Sequence, residues 1–185
     1  MPGALDAGSR KDVTSGDISL LEHLDLSQLN CLNESQDHTL KSILSTKSKN
    51  TTSSYLLSDA DEQLLLNVAF NQAVRVRSIT IKSNDAGRAP QTIKLFTNRP
   101  VLGFEDVEDA SEPEAAQIID LSSDDVKEGK PITLRFVRFQ AVNSLHIFVQ
   151  SNHGEEEESR IDAIDVLGVP VEATKDLSGL QNQEE

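Results

Sequence analysis

The feature that most constrains the fold is a period-two alternation of apolar residues that starts at Leu64 and recurs through the rest of the chain. Such alternation places every second side chain on the same face of a β-strand. Turn residues such as Asn84–Gly87 separate the strands, and no helical period of useful length follows Ser58. The pattern therefore predicts an antiparallel β-sandwich or barrel. The positions that we expect to be buried between its sheets are Leu64, Leu66, Val68, Phe70, Leu134, Phe136, Leu145, Ile147 and Val149.

One of these strands changes phase along its length. Val74 and Val76 would face one side, whereas Ile79 and Ile81 fall in the opposite phase. A strand keeps its core contacts through such a switch when an extra residue is inserted as a bulge. We therefore predict either a bulge or bend near residues 77–78 or burial of different faces at the two ends of the strand.

The later part of the chain contains one long interruption, residues 98–129, in which the pattern predicts a single short strand at 116–121. Loops of this length in compact domains are usually functional or mobile. The stretch 132–139 carries apolar residues on both faces and is interpreted as one long strand. His146 alternates with core positions, which predicts a solvent-facing side chain.

The ends of the chain differ from this body. Two short stretches, at 20–24 and 37–44, fit helical turns. Residues 1–17 are rich in Gly, Ser and Asp and predict a flexible arm, and residues 173–185 predict a disordered acidic tail. The folded domain is expected to span residues 18–172.

The charge balance narrows the class of partner. The chain has 17 Lys and Arg residues against 31 Asp and Glu residues, a formal net charge of −14. Phosphate backbones and anionic membranes attract clustered cations, so neither nucleic acid nor a membrane surface is expected as a partner. Ten carboxylates lie between Glu105 and Glu128, and four more form the run Glu155–Glu158. Both clusters are typical of solvated loops or of contacts with a basic partner surface.

Cofactors, metals and catalysis find no support in the residue pattern. The chain has neither an apolar run long enough for a membrane helix nor the features of a secretory signal at its N-terminus. The lone Cys31 has no cationic neighbour, which indicates a buried structural thiol in a reducing compartment. The acidic run offers charge but not the defined loop that calcium requires. Zinc spacing is absent from the four histidines, His23, His38, His146 and His153.

Several motifs go beyond composition, and they occur in a fixed order along residues 16–174. They are Leu29–Glu34, Asp59–Gln72, Phe136–Gln140, Phe148–Ile161 and Gly168–Val171. Together they resemble the PITH domain, the module that follows thioredoxin in proteasome-associated thioredoxin-like proteins and that also occurs without it. The resemblance implies a jelly-roll β-sandwich similar to galactose-binding and discoidin-like domains, in agreement with the alternation.

The resemblance also implies a function. It is that of a non-catalytic module that docks onto the 26S proteasome regulatory particle, expected as a monomer in cytoplasm and nucleus and without a cofactor. An acidic surface suits such docking, because charge complementarity steers association. The residues expected to contact the partner are Asn152, His153, Glu155, Glu156, Glu157, Glu158 and Arg160, with Asn84 and Asp85 in a neighbouring loop.

Two other functions stay open at this point. One is a jelly-roll module for a glycan or another small polar ligand, bound by loops that include Asn84–Asp85 and Ser151–Asn152. The chain has no Trp and a single Tyr, Tyr55, which argues against the aromatic platforms that hold sugars. The other is a regulatory adaptor that acts in transcription or differentiation through its partners.

Overall fold

The computed structural model describes residues 16–171, so the tail expected at 173–185 and nearly all of the arm expected at 1–17 lie outside the described residues. Within this range the strands are β1 (Ile18–Ser19), β2 (Asn30–Leu32), β3 (Leu56–Leu57), β4 (Leu64–Lys82), β5 (Thr92–Thr97), β6 (Gln117–Asp120), β7 (Ile132–Thr133), β8 (Val142–Val149), β9 (Arg160–Ile161) and β10 (Ala163–Pro170). The helices are α1 (Leu40–Leu44), α2 (Phe104–Val107) and α3 (Ser123–Glu128), with 3₁₀ segments at Leu20–His23, Leu26–Gln28 and Phe136–Phe139.

Most of the strands belong to one curled antiparallel sheet with the order β1-β10-β4-β8-β5-β6. Strands β2 and β7 also pair with β4, and β3 and β9 form a separate two-stranded ribbon. The antiparallel all-β class expected from the alternation is confirmed, and so is the jelly-roll type that the resemblance implies. The two helical turns expected before the strands are present as well, as the first 3₁₀ segment and α1.

The long strand β4 organises the sheet. Its first half pairs with β2 and β8, and its second half pairs with β10. The register against β10 shifts between Leu167 and Gly168, which leaves Arg77 as an extra residue and confirms the predicted bulge. A Cβ atom at Gly168 would lie 1.9 Å from the carbonyl oxygen of Arg75, so only glycine permits this approach of the two backbones.

The main core fills the inside of the curl. Of the expected core positions, all except Phe136 are at most 6% exposed. A second, smaller cluster lies on the outer face of β4, β5 and β8, beneath the segment that follows β5. Its buried members are Leu65, Phe96, Leu102, Val107, Ala110, Ala115 and Phe148.

The prediction of one long strand over residues 132–139 is wrong. The two-residue β7 is followed by the 3₁₀ segment Phe136–Phe139, and the side chain of Phe136 is 64% exposed. Both β7 and β8 pair with the same strand, β4, and the chain between them advances only from the level of Arg77 to that of Val74. At about 3.3 Å per residue that distance is roughly 10 Å. Eight peptide units, from Leu134 to Val142, span this distance, which is far less than their extended length. The chain between β7 and β8 therefore folds into a turn.

Two further expectations need correction. His146 is 5% exposed rather than solvent-facing, because the segment after β5 covers its side of the sheet. Residues 98–129 contain the predicted strand, β6, but also the helices α2 and α3. The signals for α3 are in the sequence: Ser122 caps its N-terminus through Asp125, and Gly129 ends it in the left-handed conformation.

Candidate partner-binding site

The acidic loop, residues 150–159, joins β8 to β9 and carries the run of four glutamates. The side chains of Glu155, Glu156 and Glu157 are exposed, and that of Glu158 is half-buried. The exposure and the two flanking strands agree with what the sequence predicts. Four adjacent carboxylates repel each other and resist desolvation, which explains why the run faces water.

Asn152 holds the acidic loop in shape from the inside. Its Nδ2 donates to the carbonyl oxygens of Glu156 and Glu158 at 3.1 and 3.0 Å, and its Oδ1 accepts from the Glu156 N–H at 2.8 Å. The residue is only 2% exposed. All its side-chain polar atoms are used within the loop, so the side chain shapes the loop. The contact of Asn152 with a partner stays a prediction that this burial does not favour.

Ser159 fastens the other end of the loop. Its N–H donates to Ser58 Oγ at 2.8 Å, and its own Oγ donates to the Glu62 carbonyl at 2.6 Å. The motif at Asp59–Gln72 and the motif at Phe148–Ile161 thus meet at this point. Because the two motifs are far apart in the sequence, their contact cannot be inferred from it, although each motif can be recognised separately.

The neighbouring turn, residues 84–89, is joined to the acidic loop by backbone hydrogen bonds. Gly154 N–H donates to the Gly87 carbonyl at 2.7 Å, and His153 N–H donates to the Ala89 carbonyl at 3.0 Å. A Cβ atom at Gly154 would lie 2.8 Å from Gly87 Cα, so the contact requires glycine. The fold therefore brings the expected Asn84–Asp85 turn against the acidic loop. The side chain of His153, another of the expected contact residues, is half-buried.

Arg160 lies behind the acidic loop and faces the protein. Its Nε and Nη2 donate to the two carboxylate oxygens of Asp162 at 3.1 and 2.9 Å, and these bonds raise its pKa. Its guanidinium lies 3.7 Å from the centroid of the Tyr55 ring, which in turn stacks on His38 at 4.0 Å. With its donors aimed at Asp162, Arg160 fixes the base of the site.

Asp162 links the two loops, because it also accepts from the backbone and side-chain nitrogens of Asn84 at 2.8 and 3.1 Å. Asp162 is not among the site residues expected from the sequence. Its signal is the Arg-x-Asp spacing at the end of a strand, since positions i and i+2 share a face. Arg88 was missed as well; it lies between Asp85 and Glu158 at 3.2 and 3.4 Å. No pattern in the sequence indicates that contact.

The arrangement therefore presents three outward carboxylates, those of Glu155, Glu156 and Glu157, on a braced loop. Within residues 16–171 none of the three forms an ion pair. The same described residues hold no group of three His, Cys, Asp or Glu side chains that could bind a metal ion. Chemically, the loop is suited to attract a cationic surface.

A groove of about 710 Å³ lies elsewhere, on the outer face of β2, β4 and β8. Its polar wall includes Asn30, Asn67, Arg99, Asn143 and His146. His146 is saturated there, because its Nδ1 meets Asn67 Oδ1 at 2.6 Å and its Nε2 accepts from the Arg99 N–H at 3.3 Å. Burial lowers the pKa of His146 to about 4.

Cys31 is buried, as expected. Burial raises the pKa of its thiol well above the usual value, and the charge of Glu34 adds to this effect. A thiol of high pKa is a poor nucleophile at neutral pH. None of the helices within residues 16–171 is long and apolar enough to cross a membrane.

The fold defines the class of the protein. The chain is similar to the family 32 CBM from Clostridium perfringens NanJ, whose structure contains galactose, with a TM-score of 0.57 over 82% of this chain and 98% of that chain. The sequence identity is 9%, so the likeness concerns the fold alone. By its fold the protein is an antiparallel all-β domain of the jelly-roll type, similar to that carbohydrate-binding module.

The sequence places it within that class. The family model named PITH domain matches residues 10–185, and the chain belongs to the PITH domain family. It is 42% identical to Thioredoxin-like protein 1 of Schizosaccharomyces pombe over 91% of this chain, and spans 57% of that protein's length. It is 34% identical to PITH domain-containing protein 1 of Danio rerio over 85% of this chain and 72% of that protein.

Proposed function

We propose that this PITH domain is a non-catalytic docking module for the 26S proteasome regulatory particle, working in cytoplasm and nucleus, and that the acidic loop is its contact surface. Membership of the PITH domain family motivates the choice of partner. The observation that supports the choice of surface is the set of three exposed carboxylates on a loop that Asn152 and Ser159 brace from inside. A braced loop loses little conformational entropy on binding, which favours recognition.

The roles of the site residues follow from their contacts. Glu155, Glu156 and Glu157 supply the charge that steers a basic patch of the partner towards the loop. Asn152, Asp162 and the other buried polar groups act on binding only through the loop's shape.

The test is recovery of the regulatory particle on the tagged domain, measured by mass spectrometry with crosslinking. We expect enrichment of regulatory-particle subunits, with crosslinks to the acidic loop. The triple variant Glu155→Gln, Glu156→Gln, Glu157→Gln is expected to lose most of this recovery. Absence of the regulatory particle from the wild-type sample would contradict the proposal.

A matched control separates position from net charge. Glu105, Glu108 and Glu114 are also exposed and lie outside the loop. Changing these three to Gln alters the net charge by the same amount and is expected to leave recovery unchanged. Equal losses for the two triple variants would contradict a special role of the loop, because they would mean that only overall charge matters or that the segment 105–114 contacts the partner as well.

Glycan binding is the weaker candidate. Of the loop residues that it would use, Asn152 is buried and Asn84 is bonded to Asp162. The separate groove has amide and arginine side chains, but its one aromatic residue, Phe70, is 6% exposed. Sugars stack on accessible rings, so neither place offers the surface that such a ligand needs.

A further inference from the structure

A second surface of opposite character lies at the turn between β7 and β8. The arginine-flanked patch, residues Arg135–Arg138, consists of four consecutive exposed side chains. Phe136 is 64% exposed and Val137 is 78% exposed, and the two are adjacent. An exposed aromatic side chain next to an exposed aliphatic one, with arginine on both sides, has the composition of a binding hot spot.

The patch is held in a fixed conformation. Leu134 on one side is 5% exposed and Phe139 on the other is fully buried, so both ends are anchored in the core. Leu134 N–H donates to the Arg77 carbonyl at 2.8 Å, and Gln140 Nε2 donates to the Phe136 carbonyl at 3.2 Å. The outward position of Phe136 and Val137 is therefore set by the backbone of an anchored turn.

The charge of the patch runs against that of the chain. Arg135 pairs with Glu112 and lowers the pKa of that carboxyl, chiefly through their hydrogen bond. Arg138 has no ion-pair partner among the residues from 16 to 171. In a protein of net charge −14, this cationic and apolar spot differs from its acidic surroundings.

We propose that the arginine-flanked patch binds an acidic peptide segment of a partner protein that carries an apolar anchor residue. Arg138 offers planar donors to a carboxylate, while Phe136 and Val137 offer the anchor a surface to cover. The acidic remainder of this chain repels such a segment elsewhere, which confines binding to the patch.

The proposal does not rest on the acidic loop or on the proteasome. The patch precedes β8 and the acidic loop follows it. The two ends of β8 are seven steps of about 3.3 Å apart, roughly 23 Å along the strand. Each surface can therefore be disabled while the other is kept.

The experiment measures fluorescence anisotropy of a labelled synthetic peptide of Glu residues with Leu at every third position. Two control peptides replace Leu by Ser, or Glu by Lys. We expect the Glu and Leu peptide to bind saturably and the Glu and Ser peptide not to bind. Any binding of the Lys and Leu peptide, which the acidic surface of this chain attracts, should be unchanged by substitutions in the patch. The double variant Phe136→Ser, Val137→Ser and the single variant Arg138→Gln are each expected to weaken it by about tenfold.

Matched control variants are Val101→Ser and Lys41→Gln, because Val101 is 84% exposed and Lys41 is also exposed, and both lie outside the patch. They are expected to change affinity by less than about twofold. All variants replace exposed residues, so circular dichroism melting should match the wild type.

Three results would overturn the proposal. They are failure of the Glu and Leu peptide to bind, equal weakening by the control variants, and a dimer in sedimentation that the Phe136 and Val137 changes dissociate. The last result would assign the patch to a second copy of this chain.

Discussion

At the scale of single residues, the shape of the candidate site depends on buried polar groups. Asp162 is 7% exposed and accepts four hydrogen bonds, two from Arg160 and two from Asn84. A buried carboxylate that accepts from this many donors orients the groups that surround it. The position of the acidic loop thus depends on Asp162, a residue outside the run of glutamates.

Replacing Asp162 by Asn tests this role. The amide lacks one acceptor and the charge, so Arg160 keeps at most one weaker bond. We expect unfolding in urea to show a loss of about 2 kcal/mol, the range for hydrogen bonds to charged groups. Asp109→Asn, at an exposed carboxylate, is the control and should change the free energy of unfolding by less than about 0.5 kcal/mol. A loss no larger than that of the control would contradict the role.

His146 predicts a pH dependence of stability. Its folded-state pKa of about 4 lies below the ordinary 6.5, so the unfolded chain binds the proton more readily. Stability from this group is complete above pH 6.5 and falls as the pH drops towards 4. Between pH 7 and pH 5 the loss should be about 2 kcal/mol.

The measurement is urea unfolding at both pH values for the wild type and His146→Gln. The variant should lack most of the pH-dependent loss, whereas His23→Gln should retain it. An equal loss in wild type and His146→Gln would place its cause elsewhere.

At the scale of elements, the turn between β7 and β8 contains two phenylalanines that the sequence pattern predicts to be in the same strand but that differ in burial. Phe139 is fully buried, and Phe136 is 64% exposed. Phe139→Ala should therefore cost about 3–5 kcal/mol, the range for truncation of a core phenylalanine. Phe136→Ala should cost less than about 0.5 kcal/mol in urea unfolding. Equal costs would mean that Phe136 is packed against the protein.

The same turn marks where sequence reasoning ends. Alternation predicts β4 and β8 well, since each has one face on a continuous core, and it locates the bulge at Arg77. It fails for residues 132–139, because apolar positions there fit a strand and a turn equally. The decisive fact is that β7 and β8 share β4 as a partner, which is a long-range contact.

The site is predictable in the same uneven way. The exposure of the glutamates can be predicted from their charge alone. The proximity of the Asn84–Asp85 turn to the acidic loop was also predicted correctly. The sequence did not reveal that Asn152 is inside the loop or that Asp162 joins both segments, because buried polar roles depend on which backbone groups lie within reach.

At the scale of the whole molecule, the charge is organised rather than uniform. The acidic loop lies at one end of β8 and the arginine-flanked patch at the other. The net charge of −14 acts on every approaching molecule. In the proposals made above, the two surfaces set the orientation in which a partner binds. The central claim is therefore that the position of the three loop carboxylates, beyond their contribution to net charge, governs docking.

The measurement that tests this claim most directly is the association rate of the domain with purified regulatory particle at low and high salt. We expect the loop triple variant, Glu155→Gln, Glu156→Gln, Glu157→Gln, to associate about fivefold more slowly at about 50 mM salt. The difference should fall below about twofold at about 500 mM salt, where screening is strong. The control triple variant at Glu105, Glu108 and Glu114 should associate like the wild type. Equal rates for the loop variant and the wild type at low salt would contradict the account.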